Sequence, residues 1–180
     1  MMNALSHLAD VLDTMGLTWA LGGSWVLYRV GALKQPRDVD VVATGLSATE
    51  LKERLDQLGP IRIKEKSPLF STVVGYEFDF EGLEVDLLLD FGVNTEKGSV
   101  VLDLEREKPF QMVRAGNREI PVCSLETWHI FYLLMGDPKQ RVPMIESCYP
   151  NVGIDRERLT FYAEQLPEAD ACKLKSSFCL

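Results

Sequence analysis

Two aspartates one residue apart, at the head of an apolar run, are the residues from which chemistry is most readily built: Arg37-Asp38-Val39-Asp40-Val41-Val42. Side chains of a strand alternate faces, so Asp38 and Asp40 point one way while Val39 and Val41 enter a core. Strands disfavour aspartate, and two on one face call for a reason. A later apolar run, Leu83-Glu84-Val85-Asp86-Leu87-Leu88-Leu89, repeats the arrangement with Glu84 and Asp86 on a shared face. If Asp86 faces Asp38 and Asp40, three carboxylates gather in one place. At about 5 Å and an effective dielectric of roughly 20, each pair repels by about 3 kcal/mol. Such a cluster wants a divalent cation, and hard oxygen ligands completed by water or phosphate suit Mg2+, with two ions expected. Upstream, Leu21-Gly22-Gly23-Ser24 combines glycines that permit close backbone approach with a serine at a helix start. Exposed N–H groups there favour a phosphate, although a tight strand-to-helix turn would use the same residues. Arg37 either steadies a phosphate or pairs with an acid.

These residues need a sheet to hold them. Leu5, Leu8, Val11, Leu12 and Met15 recur at helical spacing and stop at Gly16, and Leu17–Leu21 follows as a short buried strand leading into the glycines. Ser47-Ala48-Thr49-Glu50 is a capping box for a helix through Leu58. Ile61–Lys66 has the form of an edge strand whose lysines blunt pairing. Thr72–Phe80 and Leu83–Asp90 form a hairpin turned at Glu81-Gly82, and Phe110–Arg114 with Glu119–Val122 a second one at Gly116-Asn117. Asn94–Lys108 is polar and is expected as a loop or weak strand near the site mouth. Ser124 caps a helix whose Leu125, Trp128, Phe131, Tyr132 and Met135 are expected in the core, with His129 structural. Asp137-Pro138 begins another helix, Pro143 kinks or restarts it, Tyr149–Gly153 is a loop, and Asp155 caps a helix through Leu166. The fold class is α/β (α+β), a mixed sheet flanked by helices. Residues 1–122 are expected to form the core and 123–180 a helical part packed on it as one unit.

With 180 residues the chain is long enough for one substantial core. A net charge of −8 gives no overall basic field for a nucleic-acid backbone, which argues against a nucleic-acid partner while leaving room for a local basic patch. Cys123, Cys148, Cys172 and Cys179 show neither CxxC spacing nor a disulfide framework, as in a reduced cytoplasm. Asp10 and Asp13 interrupt the first apolar stretch, so neither a signal peptide nor a membrane span is expected, and a cytoplasmic location follows.

Taken in order, Gly22-Gly23-Ser24, Asp38-Val39-Asp40 and Asp86 resemble the DNA polymerase β-like nucleotidyltransferase superfamily. Its small bacterial members are the nearer likeness: lincosamide and aminoglycoside nucleotidyltransferases and AbiEii-like toxin-type enzymes. Ile120–Glu126 and Asp137-Pro138-Lys139 are similar to the helical part of those proteins. The resemblance implies a nucleotidyltransferase fold, an NTP substrate, a small-molecule acceptor and transfer of a nucleoside monophosphate to its hydroxyl. It implies Asp38, Asp40 and Asp86 as metal ligands, Gly23 and Ser24 at the outer phosphates, and Lys139 near the triphosphate, with Arg141 as its substitute. Glu84 stands as a candidate general base. The same resemblance admits a toxin-type transferase acting on tRNA or protein, a nucleotide-binding module without turnover, and a homodimer.

Overall fold

Leu5, Leu8, Ala9 and Leu12 lie on one stripe of the first helix and are fully buried, which fixes how that helix covers the sheet. The structure, a computed structural model, describes residues 1–178. In chain order, α1 (Met2–Thr14) leads to β1 (Thr18–Leu21), α2 (Ser24–Arg29) and β2 (Val39–Thr44). Next come α3 (Ala48–Leu55), β3 (Ile61–Ile63), β4 (Val74–Phe80) and β5 (Leu83–Leu89). Then follow β6 (Gly92–Thr95), β7 (Gly98–Val101), β8 (Gln111–Ala115) and β9 (Arg118–Val122). The chain ends in α4 (Leu125–Leu134), α5 (Arg141–Val152), α6 (Arg156–Ala163) and α7 (Glu168–Phe178).

Among the described residues, seven strands form one mixed sheet in the order β3-β4-β5-β2-β1-β9-β8. The β2–β5 and β1–β9 pairs are parallel and the other neighbours antiparallel. Parallel strands need a crossover, and α3 with the β3–β4 excursion supplies the one between β2 and β5. Alternation along β2 and β5 buries Val39, Val41, Val85, Leu87 and Leu89 while Asp40 and Asp86 lie half-buried on the other face. The expected capping box holds α3 in place: Glu50 N–H donates to Ser47 Oγ at 3.2 Å, and Ser47 N–H donates to Glu50 Oε2 at 2.9 Å. This helix stops at Leu55, and a turn carries the chain on to Leu58.

Several elements differ from expectation. Residues 92–101 fold as the β6–β7 hairpin, a separate two-stranded sheet, and nothing from Asn94 to Lys108 reaches the site. Tyr149–Val152 is the last turn of α5, not a loop; Pro150 sits inside that helix, and Gly153 ends it at φ +80°. A proline so near the C-terminus forfeits one intrahelical bond and leaves the turn intact. Helix α5 begins at Arg141, after a turn through Pro138–Gln140, so Asp137 caps it from four residues upstream. The Asp137 carboxylate accepts from the N–H groups of Arg141 (2.5 Å) and Val142 (2.9 Å). Pro143 therefore falls in the first turn, where its missing N–H has no intrahelical partner to lose.

One hydrophobic core runs from α1 to Leu174, with Trp25, Tyr76, Phe131 and Tyr162 among its largest buried side chains. His129 is fully buried, 3.1 Å from the Tyr149 hydroxyl, and burial lowers its pKa to about 4, in keeping with a structural role. Cys123, Cys148 and Cys172 are free thiols, and Cys179 lies outside the described residues. No helix among the described residues is long and apolar enough to cross a membrane.

Candidate active site

The centre of the site is a strand register. Asp40 on β2 is the direct partner of Asp86 on β5, so their side chains leave the same face of neighbouring strands. Asp38 stands one residue before β2, and its carbonyl accepts a 2.9 Å bond from the indole N–H of buried Trp25, which ties the start of β2 to α2. Burial, then the charges of Asp38 and Asp86, push the pKa of Asp40 up to about 7, with Lys64 and Lys139 acting in the opposite direction. Among the described residues, no hydrogen-bond donor meets the carboxylates of Asp38 or Asp40.

The glycine turn is fitted against these acids. Gly22 N–H donates to the Asp40 carbonyl at 2.8 Å, extending the β1–β2 ladder to the head of β2. At Gly23 φ is +54°, and a Cβ there would lie 1.9 Å from Asp40 Oδ2, so both backbone and space require glycine. A Cβ on Gly22 would strike the Trp128 ring at 2.2 Å. Ser24 opens α2, and its Oγ is buried without a hydrogen-bond partner among the described residues. Such a hydroxyl is left for a ligand to satisfy.

These groups border a cavity of about 660 Å³. Gly23, Ser24, Arg37, Asp38, Asp40 and Asp86 line it, as do Lys139 on the turn after α4 and Arg141 at the start of α5. Two sequence candidates are not brought in. Gly22 contributes packing rather than lining, and Glu84 sits exposed beside the β4–β5 turn, opposite Asp79 and away from the cavity. Alternation places Glu84 on the right face but at the wrong end of the strand.

Two features went unread in the sequence. Lys64, just after β3, reaches Asp86 Oδ2 at 2.6 Å and Glu77 Oε1 at 3.2 Å, and Glu77 is the cross-strand partner of Asp86. The stem of Lys64 crosses β4 over Gly75, where a Cβ would lie 3.0 Å from its Cδ. The opposite wall of the cavity is helical. Trp128 is in the core as expected, with Tyr132 and Met135 packed against it, and all three also border the cavity; Trp128 stacks on Phe91 with centroids 5.7 Å apart and planes at 15°.

Among the described residues, no three acidic, histidine or cysteine side chains are close enough to ligate a single ion. The cluster expected from Asp38, Asp40 and Asp86 is therefore looser than three-fold ligation requires, and Lys64 already holds one oxygen of Asp86. The donor set still fits Mg2+, which is commonly held by one or two carboxylates plus substrate phosphates. An Asp40 carboxylate with no donor and a raised pKa is the observation that such a cation would answer.

The aminoglycoside-2''-adenylyltransferase family profile matches residues 4–144. The chain belongs to this family. Adenylyltransferases are nucleotidyltransferases, and the chain is accordingly a nucleotidyltransferase of the small bacterial kind. Solved adenylyltransferase-like structures share its fold. A Thermotoga maritima protein described provisionally as a nucleotidyltransferase matches at 18% identity and TM-score 0.60, over 83% of this chain and 92% of that one. The lincosamide antibiotic adenylyltransferase LnuA, solved with lincomycin bound, matches at 18% identity and TM-score 0.51, over 81% and 96%. ANT(2'')-Ia in complex with adenylyl-2''-tobramycin matches at 15% identity and TM-score 0.51, over 99% and 96%. No curated protein sequence matches the chain significantly.

Proposed function

We propose that this protein catalyses metal-dependent transfer of a nucleoside monophosphate, adenylate by family precedent, from an NTP to a hydroxyl of a small-molecule acceptor. The observation that carries this reading is the Asp40–Asp86 register, with Gly23 abutting Asp40 at the same corner of the cavity. Gly23 and the unpartnered Ser24 hydroxyl hold the outer phosphates, and Arg37 and Lys139 add positive charge beside them. Asp38 and Asp40 hold the cation that accompanies the triphosphate. A bound divalent ion supplies charge neutralisation at the phosphates. Asp86, one oxygen held by Lys64, orients the acceptor hydroxyl and takes its proton as the acceptor oxygen bonds to the α-phosphorus. The bond from that phosphorus to the bridging oxygen breaks, and pyrophosphate leaves. Positioning and electrostatics carry most of the acceleration in such transfers, so no covalent nucleophile is needed.

The test is incubation with labelled ATP, GTP, CTP and UTP, Mg2+ and a panel of hydroxyl acceptors, with Asp86→Asn alongside. Label is expected on an acceptor with wild type only. Equal labelling by the variant would remove Asp86 from the mechanism. Tight nucleotide binding without turnover on any acceptor would favour a binding module, and labelled tRNA or protein a toxin-type transferase.

A further inference from the structure

We infer that the acceptor is a hydroxyl compound with an apolar body and at most one positive charge, not a polycationic aminosugar. The inference rests on the transferase reading and concerns the part of the same cavity that lies across β5 from the nucleotide residues. Gly23 and Ser24 follow β1, on one side of Asp40; β5, β4 and β3 lie in turn on the other, so the acceptor meets Asp86 from that side. Its wall there carries an apolar group, Ile63, Phe70, Val73, Val74 and Leu88, faced by Tyr132 from α4, among the polar side chains of the Lys64–Ser67 segment and Thr72.

Exposure sets this wall apart. Ile63 is 56% exposed, Phe70 37% and Val73 48%, so three of the eight exposed large apolar side chains among the described residues border a single cavity. Single exposed apolar residues are ordinary, whereas a group of them at a cavity mouth is an unfilled apolar surface.

The charges agree. A polycation needs carboxylates left free to receive it. On this side Asp86 and Glu77 are bridged by Lys64, and Arg62 also pairs with Glu77. Glu65 remains, exposed and adjacent to Lys66. The lining of this half thus balances Asp86 and Glu65 against Lys64 and Lys66, in a protein whose net charge is −8.

The protein is loaded with Mg2+ and α,β-methylene ATP, and acceptor binding is followed by calorimetry at low and high salt. The probes are octyl glucoside below its micelle-forming concentration, which is neutral with an apolar tail, and tobramycin. Octyl glucoside is expected to bind at least ~10-fold more tightly, with little dependence on salt. Val73→Asp, at an exposed position, is expected to weaken the glucoside by ~10-fold and strengthen tobramycin; retained nucleotide binding by the variant reports an intact fold. Tobramycin binding as tightly as the glucoside or more so, or neither probe binding the nucleotide-loaded protein, would overturn the inference. Failure of the nucleotide analogue itself to bind would instead bring down the transferase reading, and this inference with it.

Discussion

Asp40 and Asp86 are 46 residues apart in the chain, and direct register partners on parallel strands in the fold. Parallel pairing of β2 with β5 is what converts two separate acidic strand tips into one site. Asp86→Asn is expected to lower kcat by ~10²–10³ while leaving nucleotide KM within a few-fold, because in the proposed mechanism Asp86 acts on the acceptor rather than the triphosphate. Asp40→Asn should instead impair nucleotide binding in the presence of Mg2+. Steady-state kinetics and nucleotide titrations of both variants distinguish the two roles.

Gly23 permits a direct steric test. Gly23→Ala places a methyl group 1.9 Å from Asp40 Oδ2 at φ +54°, whereas Gly31→Ala has the same backbone problem at φ +76° with nothing within 4 Å. The Gly31 variant is expected to lose ~1 kcal/mol of stability, and the Gly23 variant more than that together with nucleotide binding. Equal losses in denaturant melts, with nucleotide binding intact in both, would contradict the fit described above.

Ser24 separates ligand binding from stability. Its buried Oγ has no partner to lose among the described residues, so Ser24→Ala is expected to leave Tm unchanged or slightly raised. If the hydroxyl meets a phosphate, nucleotide Kd should rise by ~5–10-fold, the equivalent of one hydrogen bond. A drop of several degrees in Tm would indicate a structural role for the hydroxyl instead.

The pH response of Asp40 has a definite sign. Its carboxyl is raised from 3.8 to about 7, so between those values the folded protein keeps a proton that the unfolded chain has released. Its contribution therefore lowers the stability of the ligand-free protein as pH climbs through that window, by on the order of 4 kcal/mol, and is constant above it. Buried His129 acts in the opposite sense: with its pKa lowered from 6.5 to about 4, the stability it supplies above 6.5 is lost as pH falls. The difference between wild type and Asp40→Asn across pH isolates the aspartate, and should shrink on acidification. Binding of Mg2+ and nucleotide near neutral pH should also release a proton, measurable by calorimetry in buffers of different ionisation enthalpy.

Lys64 bridges two carboxylates that would otherwise oppose each other across β4 and β5. Lys64→Met is expected to cost only ~1 kcal/mol, since the pair is partly exposed. Adding Glu77→Gln should recover part of that loss, and a double-mutant cycle in urea measures the coupling.

The site's acidic strands were legible because aspartate at alternate positions of an apolar run is both conspicuous and restricted to one face. Gly23-Ser24 were legible through their place at a strand-to-helix turn, and Ser47 through its capping partner Glu50. Lys64 was not. Its role depends on β4 inserting between β3 and β5, and on Gly75 leaving room for an aliphatic stem, neither of which spacing encodes. Alternation gave the face of Glu84 but not its distance along the strand. Periodicity likewise placed Trp128 in the core and Tyr132 and Met135 against it without showing that their outer edges form the wall of a cavity. The position of Pro150 inside α5 was hidden because proline disrupts a helix least near its end.

The inferred acceptor side of the cavity ends in β3, a three-residue edge strand, and in the segment from Lys64 to Val73 that joins it to β4. Most of that segment lies outside the buried core, while Asp40, Asp86 and Gly23 are held by interior strands and a tight turn. If that surface receives the acceptor, as inferred above, substitutions and length changes between Lys64 and Val73 would alter which compound fits while Asp38, Asp40 and Asp86 stayed in place.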